Sequence, residues 1–540
     1  MTRVQISRRD LIRSTAAVGA VTALGGLGLA DAAVAGTGPV ARATTRTTTL
    51  DKGPAGAGGW RPVVTRAGEG YAVRGGLGAK ARGGRARRRK SLLAFAQISD
   101  VHIMDCQSPV RSEYGENFSP SAYRPQEILS AHVADAMVRR INAVRRGPAT
   151  GSKLAFTIQT GDNSDTGQYN ELRWNIDVLD GGTLRVDSGD LTRYEGVMDQ
   201  DPTYYDTVFW HPDGTPDGKA DDDARAVYGF PVVDGLLDAA RQPFSAAGLQ
   251  MPWYAVMGNH DGLVQGNFPH TPADNARAIG TAKKVTGGAT RTVTADPDRR
   301  LLDKAEWVDE HFVTTGTPDG HGFTKENKAK KTAYYYFDRG PKGVVRSVVL
   351  DTVAPSGDQG AMDSKQFSWL LRLLDRSKNK LVVLYSHHPL QSFTDENIAT
   401  MIRQELTSRP QVIAWVNGHT HRNQIWAYPR KKKGKVVGGF WEINTASHID
   451  WPQQARLIEI ANNKDGTLSI FTTMIDHEGP TQFNGDLTSP IQLAGLSRLL
   501  SANDWQEREE HRRGKRTDRN VELLLPAPAF LWKKKKKKKK

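Results

Sequence analysis

Cysteine is nearly absent: Cys106 is the only one in 540 residues, which excludes an intramolecular disulfide and a thiolate-based zinc site. Any bound metal must therefore rest on nitrogen and oxygen ligands, and the lone thiol reads as a small buried residue. Long apolar runs are also missing. The nearest, residues 14–30, is interrupted by glycines and falls short of the ~20 strongly apolar residues of a membrane span. No internal repeat is visible. The formal net charge is +15, but residues 80–90 hold seven basic side chains and no acid, and residues 533–540 are eight lysines. Without those two runs the charge is balanced, so no specific nucleic-acid surface is expected. The octalysine run reads first as a solvated tail, with electrostatic association with an anionic envelope as its alternative. What remains is a folded, loop-rich protein: 38% hydrophobic, with 42 aromatic residues (12 Trp, 14 Tyr, 16 Phe), 53 Gly and 27 Pro.

At the N-terminus, Ser7-Arg8-Arg9-Asp10-Leu11-Ile12-Arg13 precedes the weakly apolar run and then Ala33-Val34-Ala35, a small-x-small cleavage pattern. This order resembles a twin-arginine export signal. It implies a signal peptide over residues 1–35, the twin-arginine machinery as a partner, and an extracellular or envelope location. An uncleaved anchor is the alternative. Residues 36–90, rich in Gly, Thr, Ala and Arg, read as a flexible basic linker.

From Leu92 onward, short apolar runs end abruptly in polar clusters, and helical patterns separate them. The spacing predicts strands over 92–98, 154–160, 253–257, 344–350, 381–385 and 412–416, and helices over 125–146, 364–376 and 397–408. A hairpin is predicted around Asn463-Lys464-Asp465-Gly466. This alternation is that of an α/β core with functional residues at strand ends. Residues 166–251 and 262–342 fit the pattern poorly and are taken as insertions over the mouth of the site.

Five clusters follow five of these strands: Asp100-x-His102, Gly161-Asp162-x-x-Asp165, Gly258-Asn259-His260-Asp261, His387-His388 and Gly418-His419-x-His421. Imidazole, carboxylate and amide oxygen suit Mn, Fe or Zn. Glycines at 161, 258 and 418 let the backbone turn close to such a centre. In residue type and order the five clusters resemble the calcineurin-like metallophosphoesterase superfamily. The resemblance implies a four-layer sandwich, two mixed β-sheets flanked by helices, carrying two divalent metal ions (Mn, Fe or Zn). It makes Asp162 the shared ligand, with Asp100, His102 and His421 on one ion and Asn259, His387 and His419 on the other. His260 would assist the leaving group, its ring oriented by Asp165, while a metal-bridging hydroxide attacks a phosphomonoester or phosphodiester. The purple acid phosphatase branch carries a tyrosine where this chain has Asp165, so its iron charge-transfer chemistry is not expected.

Asp261 reads as structural, and His388 as a weaker ligand candidate than His387. Arg111 and Arg422 read first as ordinary surface arginines, with a forked contact to substrate phosphate as the alternative, and His448 reads first as part of a plain turn, with a place at the mouth as its alternative. The catalytic domain is expected over 91–480, followed by a C-terminal extension over 481–540. A metal-binding envelope protein without turnover is the competing reading. His260 separates the two, because a pure binding module has no need of an acid beside the metals.

Overall fold

The computed structural model describes residues 43–115, 119–285, 288–507 and 511–532. The signal peptide and the octalysine run expected from the sequence lie outside the described residues.

Thirteen strands build the two large sheets: β1 Ala72–Arg74, β2 Lys90–Ile98, β3 Thr157–Thr160, β4 Trp253–Val256, β5 Tyr335–Arg339, β6 Val345–Val349, β7 Leu381–Tyr385, β8 Val412–Asn417, β9 Gln424–Lys432, β10 Lys435–Asn444, β11 Gln454–Asn462, β12 Thr467–Asp476 and β13 Val521–Pro526. The seven-stranded sheet has the order β1-β13-β12-β11-β2-β3-β4, and the six-stranded sheet β5-β6-β7-β8-β10-β9. Within the first, β2, β3 and β4 are parallel; within the second, β6, β7, β8 and β10 are parallel. Strands such as β7 (LVVLY) and β8 (VIAWVN) are apolar almost throughout because both their faces are covered, and every residue in them is buried.

The inner faces share one apolar core. The Phe95 ring of β2 lies 4.9 Å from Phe156 and 5.7 Å from Tyr385 of β7. Outside the six-stranded sheet, helices α3 (Ser364–Arg376) and α4 (Glu396–Ser408) place Leu370, Leu374, Ile402 and Leu406 against Leu384, Trp415 and Phe440. On the other side, α1 (Ser130–Val144) packs against β12 and against α5 (Pro490–Asn503). Helix, sheet, sheet and helix make the four mixed layers expected from the resemblance. No helix among the described residues is long and apolar enough to cross a membrane.

Several expected boundaries are corrected. Within the stretch read as a flexible linker, Thr48–Lys52 and Val63–Ala67 form an antiparallel hairpin, and β1 joins the seven-stranded sheet beside β13. Thr45 Oγ1 donates to Met474 O at 2.9 Å, and Arg85 pairs with Glu522 at 2.7 Å. These strands are short, and β1 finds its partner about 450 residues away, so local periodicity gives no sign of them. Residues 481–532 are likewise no appendage, since β13 is inserted between β1 and β12. The segment read as an insertion over 166–251 begins with a core helix, α2 (Tyr169–Asp180), whose Leu172, Ile176 and Leu179 join the main core. The one read over 262–342 ends in β5, an edge strand of the six-stranded sheet.

Candidate metal centre

The C-terminal ends of β2, β3, β4, β7 and β8 point to one place, where six of the seven residues expected as ligands meet, and Asn259 stands next to His260, whose backbone N donates to Asp162 Oδ1 at 2.9 Å. Asp100, His102, Asp162 and His421 offer ligand atoms within 4.8 Å of one another, as do His387, His388 and His419. Asp162 joins the two groups: its Oδ2 lies 3.1 Å from His387 Nε2 and 3.7 Å from His102 Nε2. Among the left-handed non-glycine residues of the described chain are Asp100, His102, Asp162, His419 and His421. Each such residue costs of order 1–3 kcal/mol, and strain of this kind collects where side chains must be aimed at a site. Close approach also explains two glycines. A Cβ on Gly258 would fall 2.2 Å from Asp162 Oδ1, and one on Gly418 would fall 2.3 Å from Asp100 Oδ2.

In the first group, His102 Nδ1 lies 3.0 Å from Asp165 Oδ1, and His421 Nδ1 lies 2.5 Å from Asp450 Oδ2. A carboxylate only accepts, so each Nδ1 carries the proton and each Nε2 keeps its lone pair. Those two Nε2 atoms are 3.2 Å apart, with Asp100 Oδ1 3.4 Å from His421 Nε2. Lone-pair atoms converging in a buried space repel one another unless a cation lies among them. In the second group, His387 Nδ1 donates to Thr160 O at 2.9 Å and Asn259 Nδ2 donates to Gly266 O at 3.1 Å. That leaves His387 Nε2 and Asn259 Oδ1 buried without a hydrogen-bond partner, as Asp100 Oδ2 also is. These orphaned atoms are ones the resemblance makes metal ligands, so the donor set fits a divalent-metal site.

Burial alone would depress His387, but Asp162 outweighs it and lifts the ring to about 9. His260 behaves alike: burial lowers it, while Asp162 and Asp165 raise it to about 9. His102 and His419 go the other way, to about 4, through burial followed by the charge of a neighbouring imidazole. Cations at the site would pull the raised values down.

His260 is partly exposed and forms, with His102 and Asp165, a third group compact enough to hold a metal ion. Its Nδ1 donates to Asp165 O at 2.7 Å, while the Asp165 carboxylate is 3.4 Å away and lies closer to His102. The ring is thus held chiefly by the Asp165 carbonyl, with the carboxylate turned to His102, which sequence spacing does not reveal. Asp261 accepts from Gly258 N, Asn163 N and Ser164 N at 2.8–3.1 Å and ties the second cluster to the third. His388 has both ring nitrogens engaged, Nδ1 with Thr352 Oγ1 at 2.9 Å and Nε2 with Asp358 O at 3.0 Å.

Of the further sequence candidates, Arg111 and His448 lie in the interior, while Arg422 stays exposed beside His421. Arg111 is fully buried and pairs with Asp165 and, at 2.7 Å, with Glu127. It braces the site from behind and does not face substrate. Arg422 is exposed with no ion pair among the described residues. His448 is buried beneath the site, its backbone N donating to Asp100 O at 3.0 Å, and is not open to the mouth. One functional residue escapes the sequence reading altogether: Asp450, which fixes the ring of His421 and is itself held by Arg124 at 2.7 Å. It lies in the loop between β10 and β11, and only its distance from His421 identifies it.

The comparisons with known proteins reach Asn259, His260, His387, His419 and His421 of this site, and not Asp100, His102 or Asp162. Residues 232–423 match the family model described as calcineurin-like phosphoesterase, and residues 5–25 match that of the TAT (twin-arginine translocation) pathway signal sequence. No curated protein matches the chain. Among solved structures, one described as the structure of PhoD is similar at 13% identity and a TM-score of 0.31, covering 76% of this chain and 68% of its own. Another, GAP50, the anchor in the inner membrane complex of Plasmodium, is similar at 12% identity and a TM-score of 0.26, covering 72% and 85%. The chain therefore carries a calcineurin-like phosphoesterase domain with a candidate Asp/His metal site, behind a twin-arginine signal sequence that marks it for export across the membrane.

Proposed function

We propose that the chain hydrolyses phosphomonoesters or phosphodiesters outside the cytoplasm, using two divalent cations. Asp100, His102 and His421 hold one cation, Asn259, His387 and His419 hold the other, and Asp162 is shared. When bound, the cations supply a nucleophile at neutral pH and a counter-charge for the anionic ester. The chain's own residues do the rest. Asp165 and Asp450 accept hydrogen bonds from Nδ1 of His102 and His421, so that both rings turn Nε2 inward. His260 donates its Nδ1 hydrogen bond to the Asp165 carbonyl, and Asp162 and Asp165, outweighing burial, favour the doubly protonated ring, whose Nε2–H is the proton given to the departing alkoxide. The observation that carries this reading is the meeting of Asp100, His102, Asp162 and His421, and of His387 and His419, at the ends of strands from two sheets, with Asp100 Oδ2 and Asn259 Oδ1 buried and without a hydrogen-bond partner.

The test is a screen of the purified mature chain, reconstituted with Mn, Fe or Zn, against mono- and diester substrates, with elemental analysis of the same sample. Turnover accompanied by two bound cations per chain is expected. His260→Ala should keep its metal and lose most turnover. Metal-loaded His260→Ala with wild-type turnover would remove His260 from the mechanism. Two bound cations with no turnover on any ester would favour the metal-binding envelope protein instead.

A further inference from the structure

Two basic runs that are far apart in sequence come together at the end of the sheets opposite the metal centre. β2 starts at Lys90 and ends two residues before Asp100, and β10 starts at Lys435 and ends at Asn444, beside the end of β8. Both strands run from the basic end to the site, and ten residues of strand cover about 30 Å. At the tip of the β9–β10 hairpin, Lys431, Lys432, Lys433 and Lys435 are all exposed. Gly78 comes so close to this hairpin that a Cβ there would lie 2.6 Å from Val436 O, which brings residues 80–90 alongside the tip.

The 80–90 arm is anchored by some of its cations and displays the others. Arg85 and Arg89 both pair with Glu522 at 2.7 Å, and Arg88 pairs with Asp465 at 3.4 Å. Lys80, Arg82 and Arg87 are exposed, and among the described residues no carboxylate lies within ion-pair distance of them or of the four hairpin lysines. The C-terminal segment emerges at the same end: Ala527 N donates to Gly466 O at 2.9 Å, next to the Arg88–Asp465 pair. Trp532 is 55% exposed there, and the sequence continues with eight lysines.

Unpaired like charges held this close together repel one another, so the arrangement favours an anionic counter-surface. Apolar groups beside the lysines narrow the choice. Val437 (39% exposed) lies beside the hairpin lysines, and Trp532 directly precedes the lysine run in sequence. An indole and aliphatic groups next to a polybasic run are the composition of a bilayer interface, where the rings enter the headgroup layer and the cations meet anionic lipid. We propose that this pole docks on the surface of a bilayer rich in anionic phospholipid and turns the metal centre away from the lipid.

Co-sedimentation of the mature full chain with vesicles tests the proposal without reference to catalysis. Binding is expected to vesicles of mixed phosphatidylglycerol and phosphatidylcholine, not to phosphatidylcholine alone, and should weaken strongly in about 0.5 M salt. With the octalysine run left intact, replacing Lys431, Lys432, Lys433 and Lys435 by Ser should weaken binding at least about tenfold. A Lys80→Ser/Arg82→Ser/Arg87→Ser variant should act in the same direction. On the vesicle, hydrogen exchange should slow in peptides covering residues 80–90 and 430–437 and stay unchanged at residues 100–111. Wild-type binding by both variants would assign the affinity to the tail alone and overturn the proposal. So would retention on a soluble poly-phosphodiester but not on anionic vesicles, or exchange protection at the metal centre in place of the basic pole.

Discussion

The two halves of the candidate metal centre are fixed by different means. In the half made of Asp100, His102 and His421, each imidazole is pinned by a buried carboxylate, Asp165 or Asp450, and each carboxylate is held in turn by a buried arginine, Arg111 or Arg124. In the half made of Asn259, His387 and His419, the supports are the neutral carbonyls of Thr160 and Gly266. A carboxylate makes an imidazole a stronger base and holds its direction more firmly than a carbonyl does. The comparison implies a tight first cation position and a weaker, exchangeable second one, with Asp162 as the only side chain common to both.

Asp162→Ala should therefore have the largest effect, abolishing both positions and turnover together. Elemental analysis after dialysis checks it, and retention of one full equivalent of metal would show that the halves do not depend on this carboxylate. Next comes Arg111→Met, which leaves Asp165 and Glu127 crowded in the interior without their guanidinium. Removing one partner of a buried ion pair costs about 3–5 kcal/mol, so a marked fall in the denaturation midpoint is expected. An unchanged midpoint would mean that the carboxylates take up protons at little cost. Asp450→Asn keeps the shape but weakens the grip on His421. Loss of such a support typically lowers metal affinity about 10–100-fold. Titration should show that loss at the tight position only; equal weakening of both positions would erase the proposed asymmetry.

The centre is legible in the sequence and much of its frame is not, for a physical reason. Each ligand cluster follows an apolar run, because a strand buried on both faces must be apolar and its end is where polar groups can gather. Strand ends can therefore be read locally, and β7 and α3 fall where the spacing predicts them. β1 and β13 are different. Strands this short cannot announce a partner about 450 positions away, so the arm that contains Lys80 and Arg82 reads as a linker. Asp450 escapes notice for a related reason: its role depends on a distance to His421 that no spacing encodes. Arg111 is misplaced because proximity to a ligand motif in sequence does not tell which side of the motif a side chain occupies.

His388 gives the smallest effect and the sharpest check on the weaker half. Together with His387 and His419 it forms a group of three imidazoles compact enough to hold a metal ion. If it were a ligand, the second position would have three imidazoles and would lose its disadvantage. Its hydrogen bonds argue otherwise. Nδ1 meets the Thr352 hydroxyl and Nε2 meets the Asp358 carbonyl, and a carbonyl oxygen can only accept, so Nε2 carries the proton and has no lone pair to give. Burial, with the charges of His419 and His387, holds this ring well below the ordinary histidine range, so it stays neutral. His388→Gln should then leave two cations bound, with affinities within about threefold of wild type, less than the roughly tenfold at which a lost support begins to register. Because the variant disturbs two buried hydrogen bonds, a stability loss of about 1–3 kcal/mol is expected alongside. A folded His388→Gln protein that binds only one cation would make His388 a ligand, and the second position would then be the better furnished of the two.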